Sequence, residues 1–221
     1  MKRIKLAERT LPNYTLAEEL FNAISHGAGV VLGIIVCLLC AFKSQGNLLP
    51  FIGSMIYGCS MIVLYAISML YHSFKPGTTK KVFQILDHCS IYILIAGTYT
   101  PILLTAFVQD APMIGWGLLA VQWIVSTVAI VLNAIDLHRY RYFSYTCSIV
   151  LGWSLVFVTP FSRELLSPAA FGYVLSGGIS YTIGALLFVI GCKHRWFHSI
   201  FHIFVVLGSF LQFIGIYAYI L

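Results

Sequence analysis

The chain has 221 residues, 60% of them hydrophobic and 9% charged, with a formal net charge of +6 and a mean hydropathy of +0.92. A soluble domain cannot carry that much apolar surface and keep a polar face for water, so a polytopic membrane protein is expected. The positive balance does not point to nucleic acid, because the charges sit in short segments between apolar runs, where they orient a chain in a bilayer.

Residues 1–14 read as a basic cytoplasmic tail. Lys2, Arg3, Lys5 and Arg9 stand there, Glu8, Glu18 and Glu19 are close by, and there is no apolar core, so no cleavable signal peptide is expected. Thr15-Leu16-Ala17-Glu18 has the spacing of a capping box and predicts a helix start. Apolar runs follow at about 23–42, 49–71, 85–108, 113–134, 143–161, 169–191 and 197–220. Each is close to the roughly 20 residues that cross a bilayer core. The expected fold is therefore an all-α integral membrane bundle of seven transmembrane helices, a single domain over 15–221. The fifth run, interrupted by Pro160, is the weakest of the seven. With the N-terminus cytoplasmic and the C-terminus outside, the inner segments hold eleven of the thirteen basic residues, and only Lys43 and Arg163 lie outside. The six cysteines all fall in or at the ends of apolar runs, which argues against a disulfide framework.

The polar residues left inside the runs are unevenly placed. His26 opens the first run, Ser68 and His72 close the second, and Asp87 and His88 open the third. Asp87 lies about six residues, hence roughly 9 Å, past Lys81. His198 and His202 open the seventh run, four residues apart and so on one helical face. All of these reach the inner leaflet, whereas the outer half of the runs holds no histidine and no carboxylate. Polar groups in a span are costly and mark functional sites. Three imidazoles, from His72, His198 and His202, would leave a fourth tetrahedral position for water, as in catalytic zinc sites. Asp87 would serve as general base toward that water, and Ser68, one turn from His72, would assist. The alternative is a hydrogen-bonded polar core that pins the helices together.

Three patterns occur in order: Glu19-x-x-Asn22-x-x-x-His26, Ser68-x-x-x-His72 followed by Asp87, and His198-x-x-x-His202. With the run Leu86-Asp87-His88 through Thr100-Pro101, the chain from about Glu18 onward resembles the progestin and adipoQ receptor (PAQR) superfamily, and within it the bacterial hemolysin III branch. The resemblance implies a seven-helix bundle with an inside N-terminus. It implies zinc near the inner leaflet on His72, His198 and His202, with Asp87 at the zinc-bound water. It also implies a bacterial plasma-membrane location and a part in membrane-lipid homeostasis. In the wider superfamily, alkaline ceramidases use such a site to hydrolyse a lipid amide.

Glu19, Asn22 and His26 share a helical face and either gate or hydrogen-bond the site or cap their helix. His88 points about 100° from Asp87 on a helix and is expected beside the ligands rather than among them. His194 reads as interfacial, His138 as part of a solvated loop, and Gly97–Pro101 as a kink. The first functional expectation is an intramembrane zinc hydrolase acting on a lipid amide or ester. The second is a non-catalytic sensor of membrane state with structural zinc. A pore-forming cytolysin ranks last, because the polar residues stop in the inner half and make no path across the bilayer.

Overall fold

The computed structural model describes residues 6–190 and 194–221. Lys2, Arg3 and Lys5 of the charge count lie outside the described residues, as do Cys192 and Lys193. The described chain is all-helical: α1 (Leu16–Lys43), α2 (Leu48–Ser73), α3 (Thr78–Ile102), α4 (Pro112–Asp136), α5 (Arg141–Gly152), α6 (Ser154–Phe157), α7 (Thr159–Leu165), α8 (Pro168–Ile190) and α9 (Phe197–Tyr219). Six helices are long and apolar enough to cross a membrane: α1, α2, α3 with its continuation to Asp110, α4, α8 and α9.

The capping box at the head of α1 is formed. Glu18 N–H donates to Thr15 Oγ1 at 3.3 Å, and Thr15 N–H donates to Glu18 Oε2 at 2.8 Å. In α3 the break expected near residues 97–101 appears as a change of hydrogen-bond register. Pro101 cannot donate, and the helix widens into a π-helical turn over Leu103–Phe107 before ending at Asp110.

The fifth predicted span, 143–161, is three short helices rather than one. The first ends at Gly152, and Pro160 occupies the first turn of α7, where its missing N–H costs nothing but where it cannot prolong α6. Neighbouring side chains meet the freed backbone groups. Gln122 Nε2 donates to Leu151 O at 3.0 Å, Tyr99 Oη to Gly152 O, and Ser162 Oγ to Leu155 O at 2.7 Å. Buried backbone groups released by such breaks are normally paired in this way.

Successive helices α1, α2, α3 and α4 pack side by side, α8 pairs with α9, and α9 closes on α1. Small residues bring the backbones together. A methyl group at Gly97 would overlap the Ser60 side chain, and one at Gly177 would sit 2.9 Å from Gly208 O. The core is built on Tyr57, Met61, Tyr65, Ile102, Phe107 and Ile216, all fully buried. The outward faces are apolar; Ile124, Val128, Val131 and Ile135 of α4 are exposed along one helical stripe.

Polarity does not stop at the histidine-bearing end. Gln122, Ser126, Ser209 and Gln212 are buried further along the bundle, although they are hydroxyls and amides rather than ionisable groups. The segment expected as a tail packs against the bundle. Lys81 Nζ donates to Ala7 O at 2.7 Å, so this segment lies across the end of the bundle.

Candidate metal centre

Four helices deliver the site. The last turn of α2 carries Ser68 and His72, the first turns of α9 carry His198 and His202, and α1 and α3 supply Glu19 and Asp87. Local chemistry fixes the start of α9. Trp196, just before it, adopts a left-handed conformation (φ 67°, ψ −12°) that an aromatic residue rarely takes. Its N–H donates to Glu18 Oε1 at 2.8 Å, so the capping carboxylate of α1 also anchors α9. That bond holds a strained residue two positions before His198.

The three imidazoles converge. His198 Nε2 lies 3.3 Å from His72 Nε2 and 3.0 Å from His202 Nε2. One nitrogen from each ring falls within 4.8 Å of the others, which suits a shared metal ion. Two imidazole ligands at tetrahedral angles and ~2.05 Å from zinc would be about 3.3 Å apart. The hydrogen bonding agrees with this. His72 Nδ1–H donates to Glu19 Oε2 at 2.7 Å, and a carboxylate can only accept. A His72 ring with one proton therefore turns a lone pair toward His198, and a cation satisfies all three facing nitrogens. Carboxylate, histidine and metal in line is the usual way to fix a ligand's tautomer.

Glu19 has a second partner, which sequence reasoning missed. Lys80 Nζ lies 2.8 Å from Glu19 Oε1, is 2% exposed, also donates to Phe74 O, and rests over the Tyr71 ring. Glu19 is half-buried, so removing it strands the buried Lys80 ammonium without a counter-charge. Tyr14 was missed as well. Its ring stacks on His198, with centroids 4.9 Å apart and 24° between planes. Glu19 precedes the first apolar run, and no local pattern marks Lys80 as its partner. No local pattern marks Tyr14.

Glu19 and Asn22 thus sit behind His72, although Asn22 Nδ2 is only 3.5 Å from Nδ1, at the limit of a bond. His26 stacks on His202, with centroids 3.7 Å apart, and packs edge-on to Tyr65. Asp87, Ser68, His26 and His88 line one cavity with His198 and His202, of about 970 Å³. Ser68 Oγ is buried and makes no hydrogen bond to any described residue, so it does not bond the His72 ring. His88 and His194 lie outside the ligand trio; His88 faces Phe188 and His194 stacks near Phe197.

An all-helical membrane bundle with three converging imidazoles, a carboxylate-fixed tautomer and an adjoining cavity defines a helical membrane protein with a candidate metal centre. The haemolysin-III related family model matches residues 14–213, and the chain belongs to that family. It is 37% identical to hemolysin-3 of Bacillus cereus over 206 residues, 92% of each chain. It is 36% identical to a hemolysin-3 homolog of Bacillus subtilis over 208 residues, 93% of this chain and 96% of that one. A more distant relative is an adiponectin receptor protein of Drosophila melanogaster, 26% identical over 70% of this chain and 39% of the receptor, which fits the PAQR superfamily.

Proposed function

We propose that this protein is a zinc-dependent hydrolase of a membrane-lipid amide or ester, acting in membrane-lipid homeostasis. It resides in the bacterial plasma membrane with its N-terminus and its histidine end at the cytoplasmic leaflet, and α5–α7 cross as a broken fifth span of seven. The observation that carries this reading is the convergence of three Nε2 atoms beside a lipid-sized cavity that also holds Asp87 and Ser68. A zinc ion on His72, His198 and His202 would polarise a carbonyl and lower the pKa of water toward ~7.

The chain's own residues supply the rest. Glu19, held by Lys80, keeps the His72 ring oriented. Asp87 accepts the proton of the attacking water and returns it to the leaving group. Ser68, with its unpaired hydroxyl, donates a hydrogen bond to the carbonyl oxygen as it gains charge. The apolar wall, including Leu64, Ile91, Leu94 and Val205, takes the hydrocarbon chain and excludes bulk water.

The second reading is a metal that only staples the bundle, with no turnover. It is favoured by the Lys80–Glu19–His72 chain, which already joins α3, α1 and α2. Asp87→Asn separates the two. A hydrolase keeps about one zinc per chain and loses on the order of 10²–10⁴ in turnover of a lipid amide or ester, the range of general-base catalysis. Equal turnover in wild type and Asp87→Asn would remove Asp87 as the base. No turnover of any lipid amide or ester by zinc-loaded wild type would leave the staple.

A further inference from the structure

The mouth of the cavity carries a charge pattern that the hydrolytic chemistry does not use. Arg9 of the N-terminal segment, Arg141 at the head of α5 and Arg195 before α9 all line it. They come from three separate stretches of chain and line one cavity. The positive-inside tendency accounts for basic residues at this end, but not for which of them border the cavity. Lys75, Lys80 and Lys81 are at the same end and do not line it; Lys80 is committed to Glu19 and Lys81 to Ala7 O. Among the described residues the cations lining the cavity are thus arginines, whose planar fork matches phosphate oxygens better than an ammonium does. Among these, Arg141 spends one donor on Tyr142 Oη at 2.9 Å and keeps the others.

Three carboxylates, Glu8, Glu18 and Asp87, line the cavity as well, and Glu18 faces Arg195. Glu18 already accepts from Thr15 N–H and Oγ1 and from Trp196 N–H. Of the other two, Glu8 is exposed and Asp87 is half-buried. Beyond the mouth the wall turns apolar and extends to Gln212, fourteen residues along α9 from His198, hence about 21 Å deeper. The cavity is therefore amphiphilic along its length: guanidinium groups, then imidazoles, then hydrocarbon.

We propose that the cavity takes an acyl lipid whose headgroup carries a phosphate, gripped by Arg9, Arg141 and Arg195, with the acyl chain along the apolar wall. This deepens the hydrolase reading, on which only the placing of the acyl linkage at the histidines depends. It sets a phosphate-bearing lipid against a neutral one such as a ceramide.

The test uses the full chain, zinc-replete and purified in a non-ionic detergent, with native mass spectrometry as readout. Its probes are lysophosphatidylglycerol and monoacylglycerol of equal chain length, with glycerol 3-phosphate as competitor. We expect lysophosphatidylglycerol to bind at least about tenfold tighter than monoacylglycerol, since several charge-assisted hydrogen bonds distinguish them. Arg9→Gln/Arg141→Gln/Arg195→Gln should erase that preference while leaving monoacylglycerol binding and zinc content unchanged. If the triple variant elutes as aggregate, Arg141→Gln alone should still cut the preference severalfold. Equal binding of the two lipids by wild type, or an undiminished preference in the variant that folds, overturns the proposal. Displacement of the lipid by equimolar glycerol 3-phosphate also overturns it, because the site would then hold free phosphate. Lipid preference without turnover removes the hydrolase reading alone. Turnover of a neutral lipid amide with no preference for phosphate removes the headgroup alone.

Discussion

Two buried polar clusters lie on the same pair of helices, and they are built on opposite plans. Near the middle of α2 and α9, Tyr65 Oη and Tyr181 Oη lie 2.6 and 2.7 Å from Ser209 Oγ, and Tyr57 Oη donates to Ser209 O at 3.0 Å. Each hydroxyl has a partner, and the cluster ties α2, α8 and α9 together. A turn or two away, the histidine cluster presents three nitrogens to one another, and buried polar atoms of Ser68, His26 and Asn22 have no partner among the described residues. Polar groups in an apolar interior are normally paired, since each unpaired one costs about 1–3 kcal/mol. The tyrosine cluster pairs its groups and holds helices together. The histidine cluster leaves groups over, and a metal ion with a ligand in the cavity would use them.

The largest test of that contrast removes the metal. His198→Ala/His202→Ala should lower bound zinc from about one per chain to none, read by elemental mass spectrometry on monodisperse protein. Tyr65→Phe/Tyr181→Phe should leave it at one. Wild type prepared with zinc but retaining no metal would show that the imidazoles form a polar core like their neighbours, and the hydrolase reading would fall. A middle-sized effect is expected at Glu19→Gln. The amide oxygen still accepts from His72 Nδ1–H, but the charge that holds the ring and pairs with Lys80 is gone. Zinc affinity should drop about 10–100-fold in chelator competition, the usual cost of losing an outer partner of a ligating histidine. An unchanged affinity would mean that Glu19 serves only to pair Lys80.

Much of this was legible in the sequence, for stated physical reasons. Six membrane-length helices follow from apolar runs of the right length, and the Thr15 cap from its Glu18 partner. His198 and His202 follow from spacing, and His72 from depth. The broken segment at 141–165 was not legible as such, because a hydropathy run registers apolar content and not the backbone interruptions at Gly152 and Pro160. Lys80 was read as one of the orienting charges, since nothing local distinguishes it from Lys81. Its burial is a tertiary fact, created when α1 brings Glu19 to it. Tyr14 was lost for a similar reason. A polar segment before the first helix reads as tail, and only the fold lays it against His198. Six of the seven runs expected from length are continuous helices, whereas the fifth is broken and the partners that distant residues supply have no local signature.

The smallest predicted effect is also the most discriminating about how separate the two clusters are. Tyr65→Phe removes one hydroxyl from Ser209 but leaves Tyr181 bonded to it, so no group is stranded. Interhelical hydrogen bonds in membranes average only about 0.6 kcal/mol, and the thermal midpoint should fall by no more than a few degrees. Tyr65 also packs edge-on against His26, at 5.1 Å between centroids, and His26 stacks on His202. The phenylalanine ring keeps that contact, so zinc affinity should stay within about threefold of wild type, well under one pKa-sized step in free energy. A tenfold loss of zinc in Tyr65→Phe would show that the hydroxyl network sets the position of His202 through His26. The tyrosine cluster would then belong to the metal centre rather than to the packing around it.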